Sequence, residues 1–206
     1  MFTVGPLQEN CFLVRREGSD RALLIDPGEE APRLLGAMEE LGVTPDAILL
    51  THTHFDHIGA VAPIARATGA PVYCPREELP VLKDPDAFMG AMYAGIEGWE
   101  AEHALEGGQR LQLAGFDVDV IATPGHSPGH VTFVLDRALF SGDVLFQGSV
   151  GRTDLPGGDH ATLMASIADL LDRFDDETTV HPGHMGLTTL GRERATNPFL
   201  QALAGR

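Results

Sequence analysis

The chain has 206 residues, enough for one sizeable hydrophobic core or two small ones. Hydrophobic residues make up 43% and charged residues 21%, the balance of an ordinary globular protein. The formal net charge is −16 and Lys83 is the single lysine, so the surface repels nucleic-acid phosphates and anionic membranes, and neither is an expected partner. No apolar run approaches the roughly 20 residues that span a bilayer. The start, MFTVGPLQENCFLV, lacks the basic and long apolar regions of a secretory signal, and a cytoplasmic protein is expected. Cys11 and Cys74 sit in apolar or strand-like surroundings and read as small core residues or free thiols, not as a disulfide framework.

Three strands are predicted first, Phe2–Gly5, Asn10–Arg15 and Ala22–Ile25, separated by Gly-Pro and Glu-Gly-Ser turns. Asp26-Pro27-Gly28 stops the third. Glu29–Leu41 carries Leu34, Leu35, Met38 and Leu41 at helical spacing and ends at Gly42. Ala47–Leu50 is continuously apolar, as in a strand buried on both faces. Ile58–Thr68 reads as one helix stopped by Gly69, and Pro71–Cys74 as a strand. Pro75–Glu106 is the least regular stretch. Its Met89, Met92, Tyr93 and Trp99 among glycines and prolines fit either a flap over a site, centred on Ala87–Trp99, or a helical hairpin packed on the core. Strands follow at Leu111–Leu113, Phe116–Ala122, Val131–Leu135 and Ala138–Phe140. Ala161–Phe174 is an amphipathic helix that Asp159 could cap. Thr178–Val180 reads as a last strand and Thr189–Ala204 as a last helix. Strands and helices mix throughout without a repeat or linker, so a single α/β domain is expected, with helices outside paired sheets.

The chemistry concentrates in Ala47–Gly59, AILLTHTHFDHIG, which places His52, His54, Asp56 and His57 within a few residues. Neutral imidazoles and carboxylates suit a borderline-soft divalent metal. Residues two apart in extended chain point the same way, so His52 and His54 can share one metal, while Asp56 and His57, past the turn, can face a second. Later strand-like runs each end in a small or glycine-rich turn with another candidate ligand: His126, Asp143 and His184. Small neighbours let backbone approach a metal closely.

THTHFDH, TPGHSPGH, SGDVLF and a late PGH, in that order, resemble the metallo-β-lactamase superfamily. GRTDLPGGD (Gly151–Asp159) and the ending TTLGRERATNPFL are similar to its small bacterial glyoxalase II-like branch, the hydroxyacylglutathione hydrolases. The resemblance spans nearly the whole chain, residues 1–206. It implies an αββα sandwich carrying two divalent metal ions, zinc first and iron or manganese as alternatives. It implies His52, His54 and His126 on one metal, Asp56, His57 and His184 on the other, and Asp143 bridging them. Asp56 and Asp143 are the carboxylates expected to take part in catalysis. The implied reaction is hydrolysis of a small-molecule thioester by a metal-bridging hydroxide; a thiolate leaving group of pKa about 8.5 departs without a strong general acid. Met185 departs from the glycine usual in this branch. Full-length relatives grip glutathione with a C-terminal helical region, and only residues 185–206 follow His184, so a separate substrate-binding region is not expected.

Other polar residues carry competing readings. His181 could rival His184, but the PGH motif matches His184. His130 reads as a partner of a ligand or a packed histidine. Asp26 either orients a ligand imidazole or shapes its turn. His103 and His160 are expected to be exposed. Arg152, Thr153 and Asp154 form a buried network, or Arg152 holds a substrate carboxylate. Gly125–Gly129 matches the G-x-S-x-G pattern of serine hydrolases, yet Pro128 and Gly129 lead into a strand where that elbow requires a helix, which argues against Ser127 as nucleophile. Three rivals share the implied fold. One is a persulfide dioxygenase with a single iron on His52, His126 and Asp143; the others are a β-lactamase, disfavoured by Asp143, and a nuclease, disfavoured by the charge.

Overall fold

The apolar strands alternate between two cores. Leu23, Ile25, Ala47 and Leu49 face one, while Ala22, Leu24, Ile48 and Leu50 face another, which is why their sequences show no polar side. The structure, a computed structural model, describes residues 1–89 and 95–201. One six-stranded sheet runs in the order β1 (Phe2–Val4), β2 (Glu9–Arg15), β3 (Arg21–Ile25), β4 (Thr44–Leu49), β5 (Val72–Pro75), β6 (His103–Leu105). It is antiparallel up to β3 and parallel from β3 onward. The parallel pairs need crossovers. Helix α1 (Ala31–Leu41) makes the first, and α2 (Phe55–Ile58) with α3 (Val61–Thr68) the second. A 3₁₀ turn at Arg76–Glu78, α4 (Leu79–Lys83) and α5 (Asp86–Met89) follow β5.

The second sheet contains β7 (Arg110–Leu113), β8 (Phe116–Ala122), β9 (Val131–Leu135), β10 (Ala138–Gly142), β13 (Thr179–Pro182) and β14 (Thr188–Thr189). Its spatial order is β14-β13-β10-β9-β8-β7, with β10 and β13 parallel. A small hairpin, β11 (Leu145–Phe146) and β12 (Ser149–Val150), projects beside it. Helix α6 (His160–Arg173) covers the outer face, and α7 (Leu190–Thr196) closes the described chain. Phe12, Phe116, Phe133 and Phe140 fill the space between the sheets. Leu163, Ile167 and Leu170 of α6 pack on the outer face of the second sheet, and Leu34, Met38 and Ile64 of α1 and α3 on that of the first. The result is one domain of four layers, αββα.

Several expectations need correction. Ile58–Thr68 is two helices, because the chain breaks at Gly59 and Ala60, where Ala60 N–H donates to Pro27 O. A Cβ on Gly59 would lie 2.4 Å from Gly28 O, and one on Gly28 only 1.8 Å from Asp56 O. The Asp-Pro-Gly turn is thus pressed against α2 with no room for side chains. The last helix is shorter than expected, since Asn197 precedes Pro198, which disfavours helical backbone. Strands β6, β11, β12 and β14 were not anticipated; short strands carry little periodicity. In the irregular stretch, residues 90–94, including Met92 and Tyr93, lie outside the described residues. Ile96 and Trp99 pack against the core beneath α1 and α3, and Trp99 N–H donates to Leu82 O, as the packed alternative requires. Cys11 and Cys74 are buried free thiols in that core.

Asp159 caps α6 by accepting from Thr162 N–H at 2.7 Å. Asp159→Ala should therefore lower stability by about 1 kcal/mol. Urea unfolding followed by circular dichroism reads this directly, and an unchanged midpoint would show that water caps the helix equally well.

Candidate metal centre

Every candidate ligand sits just past the end of a strand, at one edge of the two sheets. His52 and His54 follow β4, and Asp56 and His57 lie on α2. His126 follows β8, Asp143 follows β10 and His184 follows β13. The structure brings all seven together. His52, His54 and His126 offer nitrogens that all lie within 4.8 Å of one another, and so do the ligand atoms of Asp56, His57 and His184. Asp143 stands between the sets. Its Oδ1 is 3.4 Å from His57 Nε2, and its Oδ2 is 3.5 Å from both His126 Nε2 and His184 Nε2.

The outer nitrogens are held so that lone pairs point inward. Thr51 Oγ1 donates to Asp26 Oδ2 at 2.7 Å, so it accepts from His52 Nδ1 at 3.0 Å, and His52 Nε2 is left bare. His57 Nδ1 donates to Asp26 Oδ2 at 3.1 Å. His126 Nδ1 donates to Arg152 O at 2.7 Å, which turns its Nε2 toward His54 Nδ1, 2.7 Å away. Buried His52 Nε2, His57 Nε2 and Asp143 Oδ1 have no hydrogen-bond partner. Orphaned buried polar atoms are costly, and these three, all on candidate ligands, fit bound cations. The donor set, imidazole and carboxylate with backbone and carboxylate support behind it, suits two divalent metals. Asp26 also lies near His52 and His57, but Thr51 N–H, Thr51 Oγ1 and His57 Nδ1 occupy its carboxylate. It orients imidazoles.

The electrostatics agree. Burial, reinforced by neighbouring imidazoles, holds His52 well below the ordinary histidine range, and it brings His54 down to about 3. Burial also opposes charge on His57, but facing Asp143 and Asp26 overcome it and raise that pKa. His184 is raised in the same way, by its bond to Asp56 at 3.2 Å. Burial opposes ionisation of Asp143 too, yet His57 and His126 hold it well below the carboxylate range.

Other histidines are accounted for. His130 Nε2 accepts from Asp143 N–H at 3.1 Å, so it anchors the aspartate's backbone. His181 is half-buried, stacked on Phe140 with centroids 4.7 Å apart, and faces the inter-sheet core. His103 and His160 are exposed. The Arg152–Asp154 pair is also exposed, which overturns the buried network: Arg152 forks onto Asp154 at 2.7 and 2.8 Å. Ser127 Oγ points away from the site and donates to Glu78 Oε1 at 2.6 Å.

Four supporting residues had escaped notice in the sequence. Buried Glu78 accepts from Ser127 Oγ, Gly129 N–H and Thr53 Oγ1, tying the His126 loop to the His52 loop. Asn10 donates through its backbone to Gly183 O and through its side chain to Pro182 O and Met185 O, clamping the His184 loop. Glu193, buried in α7, accepts from Gly148 N–H, Thr188 Oγ1 and Asn197 Nδ2 and so anchors the β11–β12 hairpin. Glu9 lies buried 3.8 Å from His57 Nδ1, and burial, against the pull of His57, raises its pKa well above the carboxylate range. Polar residues inside apolar strands were the available signal for Glu9 and Asn10. Gly183 has a separate role: a Cβ there would sit 2.3 Å from Asp143 Oδ1.

The centre forms the floor of a cavity of about 860 Å³. Among the described residues its walls are the β1–β2 turn, Phe55, the β11–β12 hairpin, Arg152, Leu155 and Met185. Trp99 does not line it, so this part of the flap expectation fails. Met185 does, and its left-handed backbone, φ 68°, is the conformation a glycine adopts freely.

The family model for the metallo-beta-lactamase superfamily matches residues 4–184. A hydroxyacylglutathione hydrolase, GloC, of Haemophilus influenzae is 36% identical over 97% of this chain and 96% of its own. A structure described as BLEG-1 B3 metallo-beta-lactamase superposes with a TM-score of 0.91 at 42% identity, covering 97% of each chain. TTHA1623, solved in a di-iron-bound form, gives 0.83 at 49% identity, with 97% of this chain and 98% of that one covered.

Two predictions follow from the hydrogen-bonded histidines. Asp26→Ala frees His57 and the Thr51 loop and should weaken metal affinity about 10- to 100-fold, read by chelator competition. Cation binding near pH 7 should release roughly one to two protons per chain, from His57 and His184, whose pKa values are raised, and none from His52 or His54. Calorimetry in buffers of different ionisation enthalpy counts them. Zero release would contradict the assignment.

Proposed function

Because the chain belongs to the metallo-β-lactamase superfamily, we propose that it is a metal-dependent hydrolase of small thioesters, of the hydroxyacyl-thiol type. One observation carries this: two sets of inward-facing imidazole and carboxylate ligands meet across Asp143 on a cavity floor. His52, His54 and His126 would hold one divalent cation and Asp56, His57 and His184 the other, with Asp143 shared. Bound there, the pair would supply Lewis acidity and an acidified water at neutral pH.

The protein's own part is positioning. Asp56 and Asp143 are held ionised against their burial by His184 and His57 respectively, so they stand ready as anionic ligands and as acceptors of a hydrogen bond that orients an attacking water. The walls shield that water from bulk solvent. Among the described lining residues outside the metal set, Arg152 has the only charged side chain, and a guanidinium does not act as an acid near neutrality. A leaving group that departs as a thiolate needs no acid, whereas an amine does, and this favours thioesters. The 36% identity to a hydroxyacylglutathione hydrolase supports the same class. The likeness to a B3 metallo-β-lactamase supports a second reading, lactam hydrolysis.

Elemental analysis of metal-replete protein should find two cations per chain. Turnover of a hydroxyacyl thioester should exceed that of a cephalosporin. Asp143→Ala should lower kcat/KM by more than about 100-fold, beyond the usual cost of losing a ligand's hydrogen-bond partner. Faster lactam turnover would favour the second reading. One iron per chain with thiol-dependent oxygen uptake would replace hydrolysis by persulfide oxidation.

A further inference from the structure

The cavity is built for a particular kind of substrate. Above the ligands, its apolar wall residues include Leu7, Phe55, Phe146, Val150, Leu155 and Met185. Leu7 and Met185 are about half exposed, apolar surface left at the rim in a chain of net charge −16. The other polar side chains of the wall, Thr3, Gln8, Asn10 and Ser149, are uncharged. Asn10 spends its side-chain amide on Pro182 O and Met185 O. Arg152 has the only cationic side chain among the described lining residues outside the metal set, and Asp154 already holds it through both guanidinium branches. Free carboxylates entering here would meet the field of a net-negative chain, with no unpaired cationic side chain in the described wall to receive them. An alkyl chain would instead leave water for an apolar wall.

We propose that the substrate presents an uncharged, apolar chain to this cavity, and that thioesters of thiols bearing free carboxylates, glutathione included, are disfavoured. The inference deepens the hydrolase reading and rests on it for the reaction, though not for the binding. Leu7 and Leu155, both in the cavity wall, select the chain. Neither belongs to a buried core cluster, so both can be replaced without unfolding the protein.

The test uses the metal-replete protein and thioesters of N-acetylcysteamine with acyl groups from acetyl to octanoyl, compared with the matching glutathione thioesters. kcat/KM should rise at least about tenfold along the acyl series, as burial of successive methylenes requires. It should be lower for each glutathione ester, whose KM should fall as added salt screens repulsion. A flat acyl series, or a preference for the glutathione esters, overturns the proposal. Binding is read separately by calorimetry, with an amide analogue of the octanoyl ester that cannot be hydrolysed as a thioester and with metal-free protein. The analogue should bind, and Leu7→Asp or Leu155→Asp should weaken it at least about tenfold while the melting temperature holds. No binding, or binding indifferent to both variants, overturns the inference. If the analogue binds as expected but no thioester is turned over, the apolar site stands and the hydrolase reading falls.

Discussion

What the centre depends on is the choice of which nitrogen each imidazole turns inward, and hydrogen bonds on the outer nitrogens make that choice. Asp26 governs two rings at once: it takes the hydroxyl proton of Thr51, which leaves that oxygen to accept from His52, and it takes the Nδ1 proton of His57. Arg152 O does the same for His126, and His130 secures Asp143 through its backbone. With these bonds in place, lone pairs converge at the floor of the cavity. Converging lone pairs without a cation are costly there, and the same cost becomes affinity when a cation is supplied.

The rest of the fold can be read as support for that geometry. Two sheets packed through Phe12, Phe133 and Phe140 bring the ends of β4, β8, β10 and β13 to one edge. Short loops then deliver ligands from strands far apart in sequence. Close backbone approaches tune the loops further. Gly28 and Gly59 press the Asp26 turn onto the ligand helix, and Gly183 lets the His184 loop pass under Asp143. Carboxylates without a seat in the metal set, Glu78 and Glu193, act as ties between loops by accepting three hydrogen bonds each.

The catalytic floor and the cavity walls obey different physics. The floor is polar, buried and electrostatically coupled, and it tolerates little change. The walls are largely apolar and partly open, and they come from turns and a hairpin, with Leu7, Leu155 and Met185 outside the core clusters. That separation allows one centre to serve different substrates through changes in the walls alone.

The sequence by itself determined the layered α/β class and singled out the seven candidate ligands that the structure brings together. Closely spaced His52, His54, Asp56 and His57 advertise metal chemistry locally, and strands buried on both faces advertise sheets covered on both sides. It also argued against Ser127 as a nucleophile, since Pro128 and Gly129 lead into a strand where such a serine needs a helix. It could not decide between the two readings of Asp26, choose a partner for Arg152, or show which residues line the cavity. Those depend on contacts between distant segments: Asp26 with Thr51 and His57, Glu78 with Ser127, Asn10 with the loop before Met185. Trp99 shows the limit plainly. Its neighbours in sequence suggested a flap, and only packing against the α1–α3 core places it away from the site. Local pattern reports a residue's chemistry and its periodicity, whereas burial, partner and protonation are settled by which distant surface folds against it.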